Sequence, residues 1–187
     1  IEKPAAGRRD DVISAAEFQT LLTHIRDQQF TDLLTISWEV GCRPQESLRV
    51  EARHVDVKNA RWVLPPKEAK GKKRPRIVYM TDAAMAVTSR CMLKWPEGPI
   101  LRNTCGRPWN PWAVNCRFHR LKEKTGRKLC LYLFRHSFAT RMLEAGLDSL
   151  TVAILLGHAN TAMLSTTYQH LSFNPGHLRN ELRRVSA

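Results

Sequence analysis

The chain has 187 residues, 43% of them apolar, enough for one globular domain with a sizeable core or two small ones, and no long polar tract marks a second domain. Thirty Lys and Arg against seventeen Asp and Glu give a net charge of +13 and a pI near 10.1, a balance that points to a polyanion, foremost nucleic acid, as partner. No run approaches the roughly 18 apolar residues of a spanning helix and no signal-peptide layout opens the chain, so no membrane is expected, and a soluble protein of the cytoplasm, associated with the nucleoid, is.

In chain order, Ser14-Ala-Ala-Glu17 is a capping box, and Phe18, Leu21, Leu22 and Ile25 follow at helical spacing, which predicts a helix over 14–28. A second helix is predicted from Thr31 to Val40. Gly41 ends it, and Pro44 allows a new helix to start while disfavouring the α conformation for Arg43. Arg43 therefore stands at a helix-helix junction.

Between residues 53 and 80 the runs HVDV, RWVL and RIVYM are β-rich and predict a small three-stranded antiparallel sheet. The stretch KEAKGKKRPR, with Lys67, Lys70, Lys72, Lys73, Arg74 and Arg76 against the single acid Glu68, then forms the tip of a β-hairpin. Thr81-Asp82 caps a helix to about Lys94, and after a loop rich in Pro, Gly and Trp, Asn110 caps another that ends at Gly126. LYLFRHSFATRMLEAG from Leu131 reads as one helix with Phe134, Phe138 and Met142 on its buried face and Arg135 off that stripe. SLTVAILL is a short helix stopped at Gly157-His158, and Tyr168 lies ten residues beyond that histidine. The basic, amphipathic segment near 176–185 closes the chain. The fold class is thus α+β, mainly helical.

Five cysteines (Cys42, Cys91, Cys105, Cys116, Cys130) without a C-x-x-C pair suit reduced thiols, and Cys116 with His119 has no second pair to complete a zinc site. No metal and no cofactor is expected.

Tyr168, in LSTTYQHL, is either a packing aromatic or a nucleophile. A tyrosine that cleaves a phosphodiester needs fixed cationic forks for the charge that builds on the non-bridging oxygens, and Arg supplies planar bidentate donors. The leaving oxygen needs a proton from a Lys or His. Arg43, Arg135, His158 and the hairpin lysines are candidates, although periodicity does not show that they converge.

On these residues the chain resembles the catalytic domain of the tyrosine recombinase, or phage integrase, family. GCRPQESLRV resembles the first arginine motif and matches Arg43 and the acidic Glu46; Lys70 is the best match for the hairpin lysine, with Lys72 as the fallback; FRHSFATRML resembles the second arginine motif and gives Arg135; LLGH gives His158 and TTYQHL gives Tyr168. Two departures stand out. Tyr132 occupies the place of a proton-handling histidine, where its phenol can bond a phosphate oxygen or orient neighbours, or be a hydrophobic replacement. Ten residues, rather than the commoner nine, separate His158 from Tyr168.

The resemblance implies the DNA breaking-rejoining fold and site-specific recombination through a 3′-phosphotyrosyl intermediate. It implies Tyr168 as nucleophile, Arg43 and Arg135 as phosphate clamps, His158 as a phosphate ligand and Lys70 as proton donor. Tyr132, Glu46 and His136 support the site, and Lys67, Lys72, Lys73, Arg74 and Arg76 bind DNA. The expected partner is double-stranded DNA, held by a homotetramer on paired sites, the chain being a monomer without DNA. The chain reads as a single catalytic domain over 1–187, with a linker at 1–12 and a C-terminal segment, 173–187, that docks on a neighbouring subunit. Beginning at Ile1, it reads as a piece lacking the family's N-terminal core-binding domain. Type IB topoisomerase activity, a two-metal nuclease or transposase, and a non-catalytic DNA-binding module are the alternatives.

Overall fold

The computed structural model describes residues 11–71 and 73–158. Ser14 Oγ accepts the Glu17 N–H at 3.2 Å and starts α1 (Ala15–Thr23), which buries Phe18 and Leu21. The expected extension to residue 28 does not form. Asp27 caps the next helix instead, its carboxylate accepting the Phe30 N–H at 2.8 Å, so that α2 spans Gln28–Val40 and begins ahead of Thr31. Gly41, at φ +56°, closes α2 in the left-handed conformation, and Pro44 opens α3 (Pro44–Arg49).

Three antiparallel strands follow in the order β1-β2-β3: β1 (Val55–Asp56), β2 (Arg61–Leu64) and β3 (Arg76–Tyr79). Asp56 Oδ1 accepts the Asn59 N–H at 3.2 Å and shapes the turn between β1 and β2. Trp62 and Val78 pair across β2 and β3 and are fully buried, which fixes the face the sheet turns to the core. The basic stretch connects β2 to β3, as expected, but its first residues are packed: Ala69 is buried, and Glu68 pairs with Arg53 at 3.0 Å and His54 at 3.1 Å.

Thr81 caps α4 (Asp82–Lys94) and Asn110 caps α5 (Pro111–Thr125), as their sequences predict; α6 (Leu131–Glu144) and α7 (Ser149–Leu156) complete the described part. Helix α2 is central and packs on both α4 and α6. An aromatic chain runs through the core: Phe18 stacks on Trp38 at 4.5 Å and meets Phe134 edge-on at 6.1 Å, while Phe118 contacts both Phe134 and Phe30. Each such side chain contributes roughly 1.5–3 kcal/mol by its burial. The buried Asp32 carboxylate of α2 takes both terminal nitrogens of Arg90 on α4, at 3.0 and 2.7 Å, so the charge does not sit unpaired in that contact.

Helix α6 is buried on more than the predicted stripe. Phe134 and Leu131 face the main core, Phe138 and Ala139 join a second cluster with Val152, Ala153 and Leu156 of α7, and Arg135, expected off the buried face, is only 4% exposed. No helix among the described residues is long and apolar enough to cross a membrane.

Candidate active site

The site is built around the C-terminal end of α7. Asp148 starts this helix by accepting the Thr151 N–H at 2.9 Å. Gly157, at φ +65°, ends it: its N–H bonds the Ile154 carbonyl and the His158 N–H reaches back to Ala153, both at 2.9 Å. Three successive carbonyls at this end each take an arginine. Leu155 O accepts from Arg76 Nη2 at 2.8 Å, Leu156 O from Arg135 Nη2 at 2.8 Å, and Gly157 O from Arg43 Nη2 at 2.6 Å. The partial negative charge of a helix C-terminus favours cations there. A Cβ on Gly157 would lie 2.7 Å from Arg76 Nε and Nη1, so the close approach as well as the backbone conformation requires glycine.

Arg43 comes from the junction between α2 and α3. Its own N–H donates to Glu46 Oε2 at 2.8 Å, the glutamate arm of a capping box, and its Nη1 donates to Glu46 Oε1 at 2.9 Å. Glu46, 8% exposed, also accepts from Arg76 Nε at 3.2 Å. One carboxylate thus orients two guanidinium groups while leaving the cluster strongly positive.

Arg135 projects from α6 to the same place. Its Nη1 donates to Gly41 O at 2.8 Å, and its Nη2 also approaches His158 Nε2 at 3.0 Å. Arginine has only donors, so Nε2 of His158 is the acceptor and the proton lies on Nδ1. Burial, with Arg43 adding to it, pushes the Arg135 pKa down to about 10, which leaves it charged at neutral pH. Burial and the charge of Arg135, reinforced by Arg43, Arg76 and Lys70, push His158 down to about 4, so it is a neutral imidazole in the unliganded protein. Gly41, whose carbonyl Arg135 uses, tolerates no side chain: a Cβ would lie 2.4 Å from the Phe138 ring.

An open cleft of about 570 Å³ borders this cluster, and Arg43, Gly157, His158 and Arg76 line it together with Lys70, Lys73 and Arg74. Lys70, Lys73 and Arg74 are exposed, as is Lys67, which lies outside the cleft wall. Arg76, expected as a DNA contact of the hairpin, borders the cleft but is not at an exposed tip. It is 7% exposed at the start of β3, with Nε on Glu46, Nη1 on Ile77 O and Nη2 on Leu155 O. Tyr132, in the first turn of α6, is 62% exposed and near enough that its ionised form would act on the charge of Arg135. His136 is half-buried at the following α6 position. Tyr168 and Lys72 lie outside the described residues, as does the segment 173–187.

The structure therefore gathers Arg43, Glu46, Arg135 and His158 into one bonded cluster and faces it with Lys70. Such a cluster concentrates positive charge beside the cleft, where the Arg43 guanidinium can meet an anion such as a phosphate next to an ammonium able to give a proton. Sequence reasoning missed the three α7 carbonyls and the inward role of Arg76. The Gly157 of LLGH was the available signal, since a glycine ending a helix marks a turn whose free carbonyls need partners.

A model of the phage integrase family matches residues 11–174. Among curated proteins, tyrosine recombinase XerC of Lacticaseibacillus casei is 28% identical over 165 residues, covering 83% of this chain and 54% of that protein. XerC of Rickettsia rickettsii is 28% identical over 183 residues, covering 94% and 58%. The chain thus spans little more than half the length of these relatives. Among solved structures, the Tn1549 transposon integrase in complex with transposon right end DNA superposes with a TM-score of 0.76 at 20% identity, over 99% of this chain and 69% of that one. XerA recombinase gives 0.74 at 19%, over 95% and 65%. Both share the fold.

Proposed function

The chain belongs to the phage integrase family, and from that premise we propose that it is the catalytic part of a site-specific DNA recombinase. Tyr168 attacks a DNA phosphate, forming a 3′-phosphotyrosyl bond and releasing a 5′-hydroxyl, and the reverse attack by another strand's 5′-hydroxyl rejoins the DNA without an external energy source. Arg43 and Arg135 hold the non-bridging oxygens, His158 adds a further phosphate contact, and Lys70 protonates the departing 5′ oxygen. Glu46 orients the clamp. Lys67, Lys72, Lys73 and Arg74 hold the DNA backbone, with the strong salt dependence of phosphate contacts.

The observation that carries this reading is the convergence of Arg43, Arg135 and His158 on the end of α7, opposite Lys70. A phosphate seated there would meet positive charge that Glu46 and backbone carbonyls already hold in place, the condition under which electrostatic stabilisation of a transition state costs little reorganisation. The relatives named as recombinases and the integrase solved on transposon-end DNA support double-stranded DNA as the substrate. A tetramer on paired sites, with the 173–187 segment docking between subunits and a monomer in the absence of DNA, fits the same reading.

The deciding experiment incubates the protein with nicked target DNA, the target having been recovered by sequencing DNA bound in cells, and looks for a denaturant-resistant protein-DNA adduct. Wild type is expected to form one and Tyr168→Phe to form none while binding normally. Binding without an adduct in the wild type makes the chain a DNA-binding module. Relaxation of supercoiled DNA without site preference assigns topoisomerase activity instead.

A further inference from the structure

We propose that Arg76 is a positioning residue that locks the Lys70-bearing hairpin onto the arginine cluster, so that the lysine meets the leaving oxygen; this rests on the cleavage reading above. Arg76 begins the strand on which the hairpin returns. Unlike the exposed Lys70, Lys73 and Arg74 before it, it turns inward and is 7% exposed. Its guanidinium spans two separate parts of the site: Nε reaches Glu46 Oε1 at 3.2 Å, the same oxygen that Arg43 Nη1 holds, and Nη2 reaches Leu155 O at 2.8 Å, next to the carbonyls held by Arg135 and Arg43. With Nη1 bonded to Ile77 O, all three nitrogens are held by protein groups, even though the side chain borders the cleft.

The other end of the same connection is also held, through the ion pair of Glu68 with Arg53 at 3.0 Å and its approach to the buried His54 at 3.1 Å. Lys70 therefore lies between two anchors, Glu68 before it and Arg76 after it. A buried guanidinium is costly to desolvate and is weak evidence of net stabilisation, so its use here is better read as fixing a geometry. The missing Cβ of Gly157, 2.7 Å from where Arg76 lies, is the space that makes the anchor possible. A lysine at 76 carries the charge but has no fork with which to bridge Glu46 and Leu155.

The test compares wild type, Arg76→Ala and Arg76→Lys on nicked DNA whose scissile 5′ position carries oxygen or bridging sulfur. A thiolate leaves without a proton, so only the oxygen substrate needs the lysine. On oxygen, Arg76→Ala is expected to form adduct about 100-fold more slowly, the scale of losing one catalytic group, with Arg76→Lys between it and wild type. DNA affinity stays within about 2-fold and the slope of log K against log salt is unchanged. On sulfur the defect shrinks to less than about 10-fold. An equal defect on both substrates overturns the inference, and a salt slope reduced by about 1 makes Arg76 a phosphate contact instead. Amide exchange over residues 69–75 of the free protein separates the two levels of argument. If wild type forms no adduct the cleavage reading fails, whereas unchanged exchange in Arg76→Lys, which retains the charge, removes the anchor itself.

Discussion

Arg43 and Gly157, 114 residues apart, are joined by a hydrogen bond of 2.6 Å from Nη2 to the carbonyl oxygen. This bond ties the α2-α3 junction to the end of α7, and with the parallel bonds from Arg135 to Leu156 and from Arg76 to Leu155 it makes the C-terminus of one short helix the common seat of three cations. Their mutual repulsion is offset by Glu46 and by the helix end. In the proposed reaction the DNA phosphate would supply the remaining negative charge.

Gly157→Ala is expected to lower stability by about 1–3 kcal/mol, because a side chain is strained at φ +65° and its Cβ would meet Arg76. Denaturant unfolding measures this. A loss under about 0.5 kcal/mol would mean that the α7 end adjusts without cost.

Arg135→Lys should reduce adduct formation by about 100-fold or more, the usual effect of removing a fixed donor to a developing charge. The planar fork now reaches Gly41 O and Leu156 O together, and an ammonium does not reproduce that geometry. Single-turnover cleavage at saturating protein separates this from weakened binding, and wild-type rates in the variant would remove Arg135 from the clamp.

His158 gives the free protein a pH signature. Its folded pKa, about 4, lies below the ordinary value of 6.5, so between those values the unfolded chain takes up a proton that the folded protein refuses. Stability contributed by the neutral imidazole is present above about pH 6.5 and falls as pH drops toward 4. Urea unfolding at pH 7 and pH 4.5 should show a smaller drop for His158→Asn than for wild type. Parallel profiles would contradict the assignment.

Tyr132→His should change stability by less than about 0.5 kcal/mol, since the side chain is 62% exposed. Its effect belongs to the chemistry: a histidine beside Arg135 adds a proton-handling group, so adduct formation should be equal to wild type or faster. Rates measured from pH 6 to 9 on the nicked substrate check this, and a rate at least tenfold lower would show that the phenol has a specific task.

Much of the helical framework was legible because its signals are local. Ser14, Thr81 and Asn110 cap the helices they were expected to cap, and Gly41 and Gly157 end theirs. Asp27 was overlooked, and with it the boundary between α1 and α2, because the apolar periodicity running to Ile25 outweighed a single capping carboxylate. The motifs also named Arg43, Glu46, Arg135 and His158, which the fold brings together.

The sequence by itself determined the element types, the basic character and the candidate site residues, since capping, periodicity and side-chain identity act within a few residues of each other. Only the tertiary structure decided which cations stay exposed and which are buried on protein groups. Arg74 and Arg76 are two residues apart in one basic run and both border the cleft, yet Arg74 is exposed and Arg76 is buried on Glu46 and Leu155. The strand return turns Arg76 inward, and partners 30 and 79 residues distant receive it. Composition records the charge of such a residue; its direction depends on which carbonyls and carboxylates the fold leaves without partners.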